Sequence, residues 1–232
     1  MRGFILVTSV TLLLSTNACI DMFTGITLNE DGSAWVHLQF QAGEEMVSLL
    51  EEVAGIQQAV AKPVFMMNEA ELRQWLEADG GRLTSFERTK SNAVVTTVVE
   101  AWFPNYQALG KNQGILIEEN LGTYKLGFQM PRNEFGAALS QMEQQLRHMD
   151  GDADQVLAEQ MAMLTPFLEG MHLEMRIEAP FPITGTNLSK ESETAGRWVF
   201  DFDRDLAGKP PEEMMAAMLQ WSQTEPYLTF AE

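Results

Sequence analysis

The feature that most constrains this chain is its opening stretch, residues 1–19, which ends at the sole cysteine of a 232-residue sequence. Met1 and Arg2 give a positive start. Phe4 to Leu14 form an apolar run of eleven residues, and Ser15-Thr16-Asn17-Ala18 is a small, polar stretch leading to Cys19. That is the layout of a secretory signal peptide. The run is too short to cross a hydrocarbon core of about 30 Å, which takes ~20 residues. It therefore predicts an export signal over residues 1–18, ahead of one domain over residues 19–232. With a lone thiol no internal disulfide can staple that domain. Its stability has to come from buried apolar faces.

Two processing readings meet at Cys19. In the first, cleavage follows Ala18 and the thiol receives a diacylglyceryl group, with acylation holding the mature chain on a membrane as a lipoprotein. In the second, ordinary signal peptidase cuts there, because Thr16 and Ala18 also satisfy the small-x-small rule. Thr16 stands where the lipoprotein consensus prefers Leu, Val or Ile. The single cysteine at the end of the apolar run favours lipidation, and Cys19 is the expected lipidation site. Ile20 rather than Asp follows it, which does not favour inner-membrane retention, although Asp21 comes next.

Removal of residues 1–18 leaves 214 residues with 14 basic and 33 acidic side chains. Such a field repels nucleic-acid phosphates and anionic head groups, so nucleic acid is not an expected partner. Membrane association has to come from the anchor or an apolar surface. The simpler reading of the acidity is solubility.

Along the chain, Phe23 to Asn29 and Ala34 to Gln41 around Asn29-Glu30-Asp31-Gly32-Ser33 give a hairpin signal, with Trp35, His37 and Gln39 opposite Val36, Leu38 and Phe40. His37 then points away from the aliphatic row and reads as a surface or satisfied strand residue. Met46, Leu49, Leu50, Val53, Ile56 and Val60 mark a helix from Glu44 to about Val60. Asn68 and Glu71 have capping-box spacing for a helix over Glu69 to Ala78. Arg82 to Lys90 and Ala93 to Phe103 predict a hairpin turning at Ser91-Asn92. Asn105 to Leu109 fits a helical turn, and Gly114 to Glu118 with Thr123 to Met130 a further hairpin.

Residues 132–169 carry a helical stripe through Phe135, Leu139, Met142, Leu146 and Met149, resumed by Leu157, Met161, Leu164 and Leu168. The pattern predicts a helix-turn-helix insert or a long kinked helix. The closing part reads as a strand over His172 to Pro180, a loop over Phe181 to Gly196, a strand over Arg197 to Asp203, a helix from Glu212 to about Ser222, and a loosely held tail from Thr224. The fold class expected is α+β, an antiparallel sheet built from hairpins and packed with amphipathic helices, including the helical insert.

Chemistry is sparse. No Gly-x-Ser-x-Gly, no Ser-x-x-Lys with its partners and no phosphate-cradling glycine loop occurs, and His37, His148 and His172 stand singly. Asp150, Asp152 and Asp154 begin like a calcium loop, but Gln155 and Met161 occupy the positions that need Gly and Glu. Asp201, Asp203 and Asp205 read as the solvated face of a strand. No catalytic residue, metal site or cofactor is expected. The candidate apolar ligand or partner surface is Met142, Met149, Met161, Phe167 and Trp198, since methionine adapts to irregular apolar partners. Ordinary core packing is the competing reading of the methionines.

The segment TLNEDGSAWVHLQF after the signal, the middle stretch GGRLTSFERTKSNAVVTTVVEAWFPNYQAL and the late segment MRIEAPFPITGTNLSKESETAGRWVFDFD together resemble LppM-type bacterial envelope lipoproteins over about half of the mature chain. The 132–169 insert has no counterpart in that likeness. The resemblance implies a compact α+β domain outside the cytoplasm, similar to lipid-binding folds, with no catalytic residues. The expected function is that of a non-enzymatic, lipid-anchored envelope protein, on the outer membrane or periplasmic face if the cell is Gram-negative, binding an apolar ligand, a lipid or a partner protein. The alternatives are an assembly factor acting through protein contacts alone and an envelope hydrolase using carboxylates.

Overall fold

The first strand supplies the centre of the molecule. The computed structural model describes residues 20–48, 64–109, 115–128 and 153–231. β1 (Ile20–Leu28) is the middle member of a seven-stranded sheet of order β3-β4-β2-β1-β7-β10-β9. β2 (Ala34–Gly43) returns antiparallel to it, with Leu28 opposite Ala34. The turn between them closes as expected: the Asp31 carboxylate accepts hydrogen bonds from the Ser33 backbone N–H (2.9 Å) and hydroxyl (2.6 Å), and Gly32 takes a positive φ of 82°.

β3 (Arg82–Ser91) and β4 (Val94–Phe103) pair beyond β2. Their turn is Asn92-Ala93, with φ of 51° and 60°, one residue later than Ser91-Asn92. A two-residue hairpin turn of this hand needs both central residues left-handed, and the ladder carries Ser91 opposite Val94. On the other side, β7 (His172–Glu178) lies parallel to β1, followed by β10 (Ala195–Asp201) and the two-residue β9 (Ser189–Lys190). That parallel pair joins chain segments far apart in sequence and is not a hairpin product.

A second, four-stranded sheet has the order β5-β6-β11-β8. It comprises β5 (Ile115–Asn120), β6 (Thr123–Phe128), β8 (Ile183–Thr186) and β11 (Tyr227–Ala231). Two expectations are corrected here. The 181–196 segment is not a loop throughout, because it holds β8 and β9. The tail is not loose, because β11 sits between β6 and β8 with Leu228 0% and Phe230 1% exposed. Tyr227-Leu228-Thr229-Phe230 alternates, and the alternation buries one side.

The inner face of the large sheet is covered in two places. At one end Ile26, Leu28, Val36 and Ile177 pack with Leu126, Leu228 and Phe230 of the small sheet and with Leu72 and Leu76 of the Glu69–Ala78 helix. The capping box of that helix is formed, Asn68 and Glu71 each bonding the other's backbone N–H. At the other end Leu173 and Phe200 pack with Met161 of the Ala153–Leu168 helix and with Met214, Met215 and Met218 of the Pro211–Gln223 helix. Most of the expected 44–60 helix and residues 132–152 of the insert lie outside the described residues; residues 44–48 are helical.

The strand expected over Arg197 to Asp203 stops at Asp201, and Phe202–Asp205 form a helical turn. The Asp201 carboxylate accepts from the Arg204 backbone N–H at 3.0 Å, a local cap that turns the backbone out of the sheet. Asp203 and Asp205 therefore belong to that turn rather than to a solvated strand face.

Candidate functional site

Strand alternation decides what the outer face of the large sheet offers. The registers place Glu100 opposite His37, His37 opposite Gly25, and Gly25 opposite Arg176, so these four form one row across β4, β2, β1 and β7. Residues directly opposite share a face. The row toward the Asn29–Ser33 turn holds Trp102, Trp35, Thr27 and Glu178, and the row on the other side holds Val98, Gln39, Phe23 and Glu174.

Gly25 has no side chain to contribute, and a hollow opens above it. Its volume is about 380 Å³, with Phe23, Trp35, His37, Glu100, Arg176 and Glu178 around it. The Phe23 ring leans over the glycine, and a Cβ added there would lie 3.0 Å from Phe23 Cε1. The same ring meets His37 edge-on, centroids 5.8 Å apart. Trp35 stands 44% exposed, opposite Trp102, whose ring lies 5.6 Å below the Arg82 guanidinium. Phe23, Trp35 and Trp102 thus gather aromatic surface on one face of the sheet.

Charged groups form the rim. His37 Nδ1 lies 3.5 Å from Glu100 Oε1. Arg176 Nε donates to Glu191 at 2.9 Å, and its guanidinium also lies 3.9 Å from Glu178. Farther along the face, Arg197 donates two bonds to Glu174, at 2.8 and 2.6 Å. Those bonds hold the Glu174 carboxyl below its ordinary range, with the Arg197 and His172 charges adding to them against partial burial. The Asp201 carboxyl is held low too, first by the Arg204 backbone bond. Both shifts favour the charged carboxylate.

The candidates read from sequence fall elsewhere. Cys19, Met142 and Met149 lie outside the described residues, and Phe167 is on the Ala153–Leu168 helix without a described side chain. Met161 and Trp198 are brought together, beneath the inner face. Met161 is 2% exposed, and Trp198 packs against its cluster with its ring stacked on Trp221, centroids 6.1 Å apart. Of the hollow residues, only His37 is weighed from the sequence, placed with Trp35 opposite the aliphatic row and read as a surface or satisfied strand residue. Their signal was the Trp35-x-His37 alternation on β2 combined with a glycine in β1.

Among the described residues no group of three His, Cys, Asp or Glu side chains is placed to hold a metal ion, and no helix is long and apolar enough to cross a membrane. No family model and no curated protein matches the chain. Among solved structures it is similar to the folded domain of LppM from Mycobacterium tuberculosis, determined by NMR. That likeness covers 93% of this chain and 91% of that one, at 9% identity and a TM-score of 0.45. It is a likeness of chain trace and bears on no residue of the site.

Proposed function

We propose that this is a non-enzymatic envelope protein, anchored through lipid on Cys19, that uses the open outer face of its large sheet for binding. The anchoring is carried by the sequence, in which the sole cysteine ends the apolar run. β1 begins at Ile20, the residue after Cys19, and is the central strand of the sheet. A lipid on that sulfur would attach to the middle of the fold with no slack between them. Several acyl chains on one residue hold a protein firmly at a bilayer, whereas a single chain does so only marginally. The binding role is supported by the aromatic hollow around Gly25, a concave site with a few convergent polar groups.

Expression of the full chain in a bacterial host, with membrane fractionation and intact mass, tests the anchor. The wild type is expected in the membrane fraction with an added acyl mass, and Cys19→Ser in the soluble exported fraction without it. A Cys19→Ser protein that matures and partitions like the wild type would end the anchoring reading. A second reading, docking of a partner protein on the Ala153–Leu168 helix, is favoured by Met163, which stands 64% exposed.

A further inference from the structure

The geometry points to a neutral sugar unit of a glycan as the occupant of the hollow over Gly25. This rests on the reading of the outer sheet face as a binding surface and names the class of ligand it takes. A pyranose ring presents an apolar face of C–H bonds and a rim of hydroxyls that both donate and accept. The hollow offers the complement of each. Phe23 and Trp35 give it aromatic surface, and the missing Cβ at Gly25 lets the Phe23 ring lie close over the strand. Around that surface stand Glu100 and Glu178 as acceptors and Arg176 as donor, with His37 able to do either.

Charge and shape weigh against an anion and an acyl chain. Two carboxylates face one guanidinium, and Arg176 Nε is already given to Glu191. A phosphate or sulfate would meet net negative charge there, on a chain whose overall charge is -18. An acyl chain would leave this polar rim desolvated and unpaired. At about 380 Å³ the hollow lies at the small end of ligand sites and is open to one side, which suits one ring of a longer chain whose other units remain in solvent. Arg176 is set for this work by Glu191, which accepts from its Nε and fixes the guanidinium.

The test uses the full mature protein, purified in a detergent without a sugar head group. Saturation-transfer NMR and tryptophan fluorescence would follow the titration of N-acetylglucosamine tetramer, maltotetraose, inorganic phosphate and a fatty acid. At least one neutral oligosaccharide is expected to bind, phosphate and the fatty acid are not, and Trp35→Ala should weaken binding by about tenfold. Trp35 is 44% exposed, so its truncation leaves the core in place; Glu178→Gln, also at the rim, provides a second variant and should weaken binding by several-fold. Failure of both oligosaccharides to bind, or binding that neither variant changes, overturns the sugar assignment. Binding of phosphate or the fatty acid that is lost in Trp35→Ala overturns it as well, but leaves the outer face standing as a binding surface.

Discussion

Glu174 shows how a charge is fixed on an otherwise open sheet face. Its side chain is 17% exposed and receives both Arg197 bonds, while Arg197 itself is 41% exposed. A bidentate pair of this kind is worth more than an ordinary surface ion pair, but solvent at the arginine discounts it. Glu174→Gln should therefore cost about 1 kcal/mol at neutral pH. The pH dependence has a definite sign. The folded carboxyl is held below the unfolded value of 4.5, so its contribution is complete above that value and disappears as pH falls through the lower, folded one. Urea unfolding of both proteins at neutral pH and near pH 3 checks this. The gap between them should narrow in acid, and a gap independent of pH would show that packing, not ionisation, is what the substitution removes.

At the scale of elements, the sequence was legible where one local rule was strong enough to act alone. The β1–β2 hairpin has its Asp-Gly turn, and the Glu69–Ala78 helix has its Asn68–Glu71 box. Other elements answer to partners that no local window contains. β8 and β9 are four and two residues long, too short to display a period. β11 follows Pro226 at the chain end and resembles a frayed tail until β6 and β8 are in place around it. The alternation of Phe200 and Phe202 with acids ran past the strand end, because an Asp that caps a turn and an Asp that faces water look alike in sequence. The hollow escaped for a similar reason: Gly25, His37, Glu100 and Arg176 become neighbours only through registers spanning four strands. That dependence makes β11 testable. Phe230 is 1% exposed and stacked on Tyr124, with centroids 5.2 Å apart. Phe230→Ala should destabilise the protein by about 3–5 kcal/mol, measured by denaturant unfolding. A cost below about 1 kcal/mol would mean the tail is dispensable after all.

For the whole molecule, the position of β1 sets an orientation if Cys19 is the anchor. β1 is nine residues long, and at ~3.3 Å per residue its far end stands about 27 Å from Ile20. Ala42 pairs with Ile20 and Gly43 with Val94, so the Asn92-Ala93 turn lies at the same end of the sheet as Ile20. The Asn29–Ser33 turn lies at the opposite end. The net charge of -18 works against the domain lying flat on an anionic bilayer, which leaves the tether to decide which end approaches. The hollow, centred on Gly25 midway along β1, then remains in solvent with its face beside the membrane rather than pressed upon it. Spin labels carried by noncanonical amino acids at Asn92 and Asp31 in the acylated protein distinguish this from the inverse. On vesicles, a lipid-borne relaxation agent should broaden the Asn92 label and leave the Asp31 label unchanged, because its reach is short beside 27 Å of strand. Equal broadening at both positions would mean the sheet lies along the surface, and stronger broadening at Asp31 would place the tether at the wrong end of the molecule.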